Sequence, residues 1–165
     1  MDWAGWLRVA YRIAAAESHD PSTKNAAILI ARDGTPPMTL LAWNRFPSGV
    51  EERTYRWTDR FAKNRYVEHA ERAVIYAAAK AGYCTAGSTM VAPFAACCPC
   101  ARAIIGAGIK RLVTDRRCYE RTTDAWRVEI DIGLDMLMEA GVEVIALNES
   151  IGGVTHRING VDWQP

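Results

Sequence analysis

The spacing of apolar residues changes along the first third of the chain. Between Trp3 and Ser18 they recur every three or four positions, which predicts an amphipathic helix. Two short apolar runs follow, at Ala26–Ala31 and Met38–Trp43. The Gly- and Pro-containing segment Asp33–Pro37 between them has the composition of a turn, so we expect the two runs to form a β-hairpin.

Helical and strand patterns then alternate. The predicted helices are Glu68–Ala81, Cys97–Ala107 and a segment from Thr123 or Asp124 to Ala140, and the predicted strands are Ser88–Ala92, Arg111–Thr114 and Val142–Leu147. The order αββαβαβαβ predicts an α/β fold with a mixed five-stranded sheet. Its later strands are parallel through crossover helices and its first two form the antiparallel hairpin.

Two segments show no clear period. Arg45–Tyr66 combines an excess of arginine and lysine with interleaved aromatic residues. We interpret it either as a surface loop or short helix, or as a lid or effector surface for nucleotide phosphates. The Gly-containing tail Asn148–Pro165 is predicted to be irregular, and either to pack on a neighbouring subunit or to fray.

Length and composition narrow the class of protein. The chain has 165 residues, of which 50% are apolar, and a net charge of +1. The length suits one compact domain, and the charge lacks the basic excess typical of nucleic-acid binding. No run is apolar enough for a signal peptide or a membrane span, so we expect a soluble cytoplasmic protein.

The cysteines indicate metal binding rather than a disulfide framework. Their number is odd, and three of the five lie at Cys97, Cys98 and Cys100. At the start of a helix, Cys97 and Cys100 share one face, with Cys98 pointing away, and the helix dipole favours their thiolate forms. We predict His69 as the third ligand of a Zn²⁺ site, and three protein ligands leave a fourth position open as catalytic sites do. A closed structural zinc site would need a fourth ligand.

Glu71 follows His69 by two residues and is the predicted acid/base group. At a catalytic zinc site the pKa of water falls to about 7. A carboxylate beside that water can accept its proton and pass it to a substrate nitrogen. The pattern H-x-E opening one helix and C-x-x-C opening the next matches the signature of zinc deaminases.

Together with these motifs, residues 20–147 resemble the deoxycytidylate (dCMP) deaminases of the cytidine deaminase superfamily, including those of bacteriophages. The segments Asp20–Lys24, Trp43–Gly49 and Ala101–Val113 are similar to that family's sequence before its first strand, its G-Y-N-G-F-P-x-G element and its sequence after C-x-x-C. The resemblance departs at three positions. Ala26, Ala73 and Ala96 stand where the family usually has glycine, asparagine and proline.

The resemblance implies a three-layer α/β/α sandwich with zinc on His69, Cys97 and Cys100 and with Glu71 as proton shuttle. It further implies a set of substrate contacts: Asn44 on the nucleotide, the backbone near Ala70, Phe94 and Ala95 on the base, and Tyr119, with Lys24 as a weaker candidate, on the 5′-phosphate.

The implied reaction is hydrolytic deamination of dCMP to dUMP and ammonia. A 5-substituted dCMP, a tRNA adenosine or a free base are alternative substrates. A non-catalytic nucleotide- or nucleic-acid-binding module with structural zinc is a further alternative, suggested by Arg45–Tyr66, but it would have no need of Glu71. The resemblance also implies a homo-oligomer, with a hexamer favoured, and dCTP and dTTP as effectors.

Overall fold

The structure, a computed structural model, describes residues 1–32 and 39–165. The turn predicted at Asp33–Pro37 lies outside them. The helices are α1 (Trp3–Glu17), α2 (Thr54–Thr58), α3 (Arg60–Tyr66), α4 (Ala70–Ala81), α5 (Cys98–Gly106), α6 (Arg116–Glu120) and α7 (Asp124–Glu139). The strands are β1 (Ala26–Ile30), β2 (Thr39–Trp43), β3 (Thr89–Val91), β4 (Arg111–Asp115), β5 (Glu143–Leu147), β6 (His156–Ile158) and β7 (Val161–Trp163). No described helix is both long and apolar enough to cross a membrane.

The central sheet has five strands in the order β2-β1-β3-β4-β5. Strand β1 pairs antiparallel with β2 and with β3, whereas β3, β4 and β5 run parallel. The mixed five-stranded sheet predicted from the order of elements is therefore confirmed. The parallel part places the ends of β3 and β4, and the loops that follow them, at one edge of the sheet.

Alternating side chains along the strands build two apolar layers. Leu29, Met90 and Leu112 pack in a core with residues of α4, α5 and α7. The strand residues next to these in sequence, such as Ile28 and Val91, pack on the opposite face with α1 and the C-terminal segment. Because successive strand residues point to opposite faces, this period of two produces helix layers on both sides. The three-layer α/β/α sandwich is confirmed.

A glycine of α7 allows close packing beside the C-x-x-C segment. Gly133 is buried, and a Cβ atom there would overlap the carbonyl oxygen of Ala96. The absent side chain lets α7 lie directly against the backbone that leads into Cys97. Helix α7 thereby also brings Trp126 to the same end of the molecule.

The C-terminal tail differs from its prediction as an irregular segment. Residues 156–158 and 161–163 form an antiparallel hairpin, whose tight turn places Asn159 at φ 52° and Gly160 at φ 79°. Ile158 is buried in the α1-side core. The backbone N–H of Lys24 also donates to the carbonyl of Arg157, at 3.1 Å. The C-terminal tail therefore packs as part of this subunit's own fold.

Candidate metal centre and adjoining cavity

Two helix N-termini meet at the edge of the sheet beyond β3. His69 immediately precedes α4 and Glu71 lies in its first turn, while Cys97 immediately precedes α5 and Cys100 lies in its first turn. These four residues form what we call the floor of the adjoining cavity. The unpaired N–H groups and dipoles of both helices favour negative charge at this place, which suits thiolate ligands and a carboxylate.

The three predicted ligands lie at metal-binding distances from one another. The Sγ atoms of Cys97 and Cys100 are 3.5 and 3.6 Å from Nδ1 of His69, and all three ligand atoms fall within 4.8 Å. Tetrahedral zinc, with Zn–S of about 2.3 Å and Zn–N of about 2.0–2.1 Å, would hold nitrogen and sulfur ligands about 3.6 Å apart. The donor set and its spacing therefore fit Zn²⁺.

Contacts and burial together set the pKa values of His69, Cys97 and Cys100. Hydrogen bonds from Cys100 and His69 lower the pKa of the Cys97 thiol. The hydrogen bond with Cys97 and burial raise the pKa of Cys100. Burial lowers the pKa of His69, but its hydrogen bond with Cys97 and the charge of Glu71 outweigh that effect and raise it. One sulfur is thus favoured as thiolate, the form that binds metals.

Glu71 is buried beside the three ligands, with 2% of its surface exposed. Burial raises the pKa of its carboxyl group. Its Oε2 atom accepts from the Cys100 thiol at 3.8 Å, and its Oε1 atom accepts from the Asn25 amide at 3.3 Å. The carboxylate is therefore held next to the metal group, where a proton carrier would have to stand.

The floor opens into a cavity of about 420 Å³. This volume lies within the range of about 300–1,000 Å³ usual for small-molecule sites. The part of the lining that we call the rim comes from α3 and from the C-terminal hairpin: Arg60, Lys63, Asn64, Ile158 and Asn159. The lining of the cavity thus combines a buried carboxylate and metal ligands with cationic side chains of α3.

The two cations of the rim differ in their pairing. The ammonium group of Lys63 is 2.8 Å from Asp20 and largely buried with it. Arg60 is exposed and has no hydrogen-bond or ion-pair partner among residues 1–32 and 39–165. Arg60 is therefore the rim cation available to an anionic ligand.

Some predicted substrate contacts lie at the cavity and others do not. Phe94, Ala95 and Asn44 line it. The side chain of Asn44 is engaged within the protein, since its Oδ1 accepts from the N–H of Ala70 at 3.0 Å and its Nδ2 donates to the Thr23 carbonyl at 3.3 Å. Asn44 thereby joins the end of β2 to the start of α4.

Lys24 and Tyr119, predicted on the phosphate, point elsewhere. The Lys24 ammonium donates to the carbonyl of Ala15 at 2.7 Å, near the end of α1. The Tyr119 hydroxyl donates to Asp131 at 2.7 Å on the outside of α6 and α7. Neither belongs to the described lining of the cavity. Cys98 lies as its spacing predicts, with its thiol donating to the Glu129 carbonyl at 3.2 Å, away from the floor.

Several cavity residues were not singled out from the sequence. Trp126 lies with its ring 5.7 Å from the ring of His69, and Asn25 reaches Glu71 across a separation of 46 residues. An asparagine directly before an apolar strand was the available signal for Asn25. Trp126 fits the apolar pattern of α7 and carries no such signal. For Arg60 and Lys63 the signal was the basic and aromatic composition of Arg45–Tyr66.

The comparisons with known proteins agree with this geometry. Residues 4–115 match the profile of the cytidine and deoxycytidylate deaminase zinc-binding region, and the chain belongs to this family. The profile and the His69–Cys97–Cys100 group together identify the metal as Zn²⁺. A search of curated proteins finds no significant match.

Solved structures with the same fold include two of the dCMP deaminase from cyanophage S-TIM5. The apo form superposes with a TM-score of 0.62 at 23% identity, covering 88% of this chain and 96% of the other. The complex with dCMP and dUMP also gives a TM-score of 0.62 at 23% identity, covering 86% of this chain and 93% of the other. A diaminohydroxyphosphoribosylaminopyrimidine deaminase/reductase from Thermotoga maritima gives 0.61 at 22% identity, covering 87% of this chain and 36% of the other.

Proposed function

We propose that this protein is a zinc-dependent deaminase that converts dCMP to dUMP and ammonia. The observation that carries the proposal is the placement of the buried Glu71 carboxylate beside the His69–Cys97–Cys100 group, at the floor of a cavity with Arg60 at its rim. Membership of the deaminase family supports the reaction class.

His69, Cys97 and Cys100 would hold the metal ion through Nδ1 and two sulfurs. The chemistry that Zn²⁺ supplies when bound is the lowering of the pKa of water to about 7, so that hydroxide is available at neutral pH. With three protein ligands, one position is left for that water.

Glu71 would carry the protons of the reaction. It accepts a proton from the attacking water and donates it to the ring nitrogen N3 as the new C4–O bond forms. It then transfers the remaining hydroxyl proton to the exocyclic amine, and the C4–N bond breaks to release ammonia. Burial raises the pKa of Glu71 above the usual carboxyl value, which favours a group that both accepts and donates protons.

The rim supports a nucleotide rather than a nucleoside as substrate. Arg60 lies on the cavity wall and has no partner within the described part of the chain, and guanidinium groups bind phosphate through two parallel hydrogen bonds. Lys63 and Asn64 of the same helix add a second cation and an amide to this wall. The S-TIM5 dCMP deaminase, whose fold is the same, forms a complex with dCMP and dUMP, and that supports the same substrate here.

The test is ammonia release by zinc-loaded protein from dCMP, CMP, deoxycytidine, 5-methyl-dCMP, cytosine and an adenosine-containing anticodon stem-loop. The proposal expects the highest kcat/KM for dCMP, with deoxycytidine at least about 10-fold poorer because it lacks the phosphate that would bind Arg60. Turnover of the stem-loop alone, or of none of these compounds, would contradict it.

Assembly and regulation are separate predictions that rest on the family resemblance. We expect a homo-oligomer, with a hexamer favoured, and dCTP and dTTP as effectors. Helix α7 presents the exposed apolar side chains of Val128, Ile132 and Met138, which a neighbouring subunit could cover. Light scattering on zinc-loaded protein is the measurement, and a monomer at micromolar concentration would contradict the prediction.

A further inference from the structure

Asn25 is a buried amide with one side-chain partner. It directly precedes β1, has 4% of its surface exposed and contributes to the cavity lining. Its Nδ2 atom donates to Oε1 of Glu71 at 3.3 Å. Its Oδ1 atom is buried and has no hydrogen-bond partner within the described part of the chain. The Nδ2 end of the side chain is thus bound to Glu71, whereas the Oδ1 end has no partner in the described residues.

The orientation of this amide follows from the chemistry of its neighbour. An ionised carboxylate can only accept hydrogen bonds, whereas the amide of asparagine can donate through nitrogen and accept through oxygen. With Oδ1 turned toward Glu71, two oxygen atoms would face each other without a proton between them. The observed arrangement, with Nδ2 toward the carboxylate, is the one that stabilises an ionised Glu71.

The Oδ1 atom, which lacks a partner in the described residues, reduces the contribution of Asn25 to stability. A buried carbonyl without a partner costs free energy that an apolar side chain of similar size would not. The backbone at this position needs no asparagine side chain either, because its carbonyl accepts from the N–H of Asn44 at 3.0 Å through main-chain atoms. Among the described residues, the hydrogen bond that the amide makes is therefore the one to Glu71.

We propose that Asn25 is a positioning residue of the deaminase: its amide holds the Glu71 carboxylate by Oε1 and so keeps Oε2 turned toward the metal group. Oε2 is 3.8 Å from the Cys100 sulfur, on the side where the metal ligands converge. Without Asn25, Oε1 would lose its side-chain donor and the carboxylate would be free to rotate about its terminal bond. The inference rests on the proposed function for its effect on catalysis.

The test compares Asn25→Leu and Asn25→Asp with the unmodified protein, all zinc-loaded. Both variants keep roughly the size of the side chain and remove its N–H donor. We expect kcat for dCMP to fall by about 10-fold or more, which corresponds to loss of one hydrogen bond to a charged group. KM should stay within about 3-fold because Asn25 acts through Glu71 rather than on the nucleotide. Zinc content should be unchanged.

Stability separates positioning from a structural role. Asn25→Leu should change the melting temperature less than Ser88→Ala does, because loss of the donor to buried Glu71 is offset by removal of a buried carbonyl that has no partner in the described residues. The matched control is Ser88→Ala, which removes a buried hydrogen bond of 2.6 Å to Thr85 at the opposite end of β3. Ser88→Ala should lower the melting temperature and leave kcat unchanged. A kcat for Asn25→Leu within about 2-fold of the unmodified protein, or a fall in melting temperature as large as for Ser88→Ala, would overturn the proposal.

A crystal structure of zinc-loaded Asn25→Leu provides a readout that needs no substrate. The Glu71 carboxylate is expected to rotate or to occupy two positions, and a carboxylate unchanged from the unmodified zinc-loaded protein would overturn the proposal. If the unmodified protein deaminates no tested compound, the proposed function fails. The crystal structure and the melting temperatures then still decide whether Asn25 positions Glu71.

Discussion

At the floor of the cavity the functional side chains contact one another, whereas Arg60 at its rim is exposed to solvent. At two helix N-termini, His69 contacts the sulfurs of Cys97 and Cys100, and Cys100 contacts Glu71. Arg60 instead projects from a short exposed helix without a partner in the described residues. A site that performs chemistry needs fixed geometry, and a site that recognises an anion needs an unpaired cation. Changes at the floor should therefore affect kcat, and changes at the rim should affect KM.

The largest effect is expected from loss of a metal ligand. Cys100→Ser should reduce the bound zinc well below one ion per chain and abolish deamination, because even residues that only support metal ligands contribute about 10–100-fold to affinity. Zinc content by elemental analysis and ammonia release are the measurements. The control is Cys84→Ser, an exposed cysteine far from the floor. Full zinc occupancy in Cys100→Ser would show that the ligand set is wrong.

Glu71→Gln should separate metal binding from proton transfer. The amide keeps the size of the carboxylate but cannot carry protons, so kcat should fall by about 10²–10⁴-fold while zinc content stays the same. Steady-state kinetics with zinc analysis measures both quantities. Glu143→Gln, which changes an exposed carboxylate at the start of β5, is the control. If Glu71→Gln retained normal kcat, the proton role of Glu71 would be excluded.

Arg60→Ala should change recognition and leave the chemistry alone. Loss of a guanidinium–phosphate contact should raise KM for dCMP about 10-fold, with little change in kcat and no change in zinc content. The ratio of kcat/KM for dCMP to kcat/KM for deoxycytidine should fall by the same factor. Arg65→Ala is a matched control, since Arg65 lies on the same helix, is exposed, and packs over the ring of Phe61. Equal effects of the two variants would mean that Arg60 acts only through general surface charge.

A smaller effect concerns the hairpin that supports the rim. His156 is buried against Tyr11 and Trp163, and burial, together with the charge of Lys24, lowers the pKa of its imidazole to about 4. The folded protein therefore binds fewer protons than the unfolded chain between about pH 6.5 and pH 4. The contribution of His156 to the free energy of unfolding should be complete above about pH 6.5. It should fall by about 3 kcal/mol as the pH decreases to about 4.

His156→Phe isolates that contribution. The variant removes two buried ring nitrogens that lack partners among the described residues, so it should be at least as stable at pH 7. Its advantage over the unmodified protein should grow as the pH falls from 7 to 4, measured by urea unfolding at each pH. A constant difference across this range would show that His156 does not titrate on unfolding.

The same contrast explains what could be predicted from the sequence. The pairs His69/Glu71 and Cys97/Cys100 each lie at a short spacing at a helix start, so the floor could be predicted from the sequence pattern. The short helices α2 and α3 contain no fully buried residue, and a helix without a buried face leaves no apolar period in the sequence. Strands of three residues, as in the C-terminal hairpin, are too short to show alternation. The contact of Asn25 with Glu71 depends on how β1 and α4 pack, which spacing along the chain does not reveal.

Two of the three departures from the family pattern lie in the same layer of the apolar core. Ala73 and Ala96 are buried in the core between the sheet and the helices α4, α5 and α7, and Ala96 lies against Gly133. Lys24 and Tyr119 were assigned to the phosphate through the resemblance alone. Their side chains contact Ala15 and Asp131 instead, and we propose Arg60 as the phosphate contact of this chain.

One crystal structure of zinc-loaded protein with dUMP tests whether the floor binds the metal and the base and the rim binds the phosphate. The account predicts anomalous density for zinc at His69, Cys97 and Cys100, the uracil ring next to Glu71, and the 5′-phosphate at Arg60. Zinc bound elsewhere, or a nucleotide whose phosphate lies at the floor or away from Arg60, would contradict it.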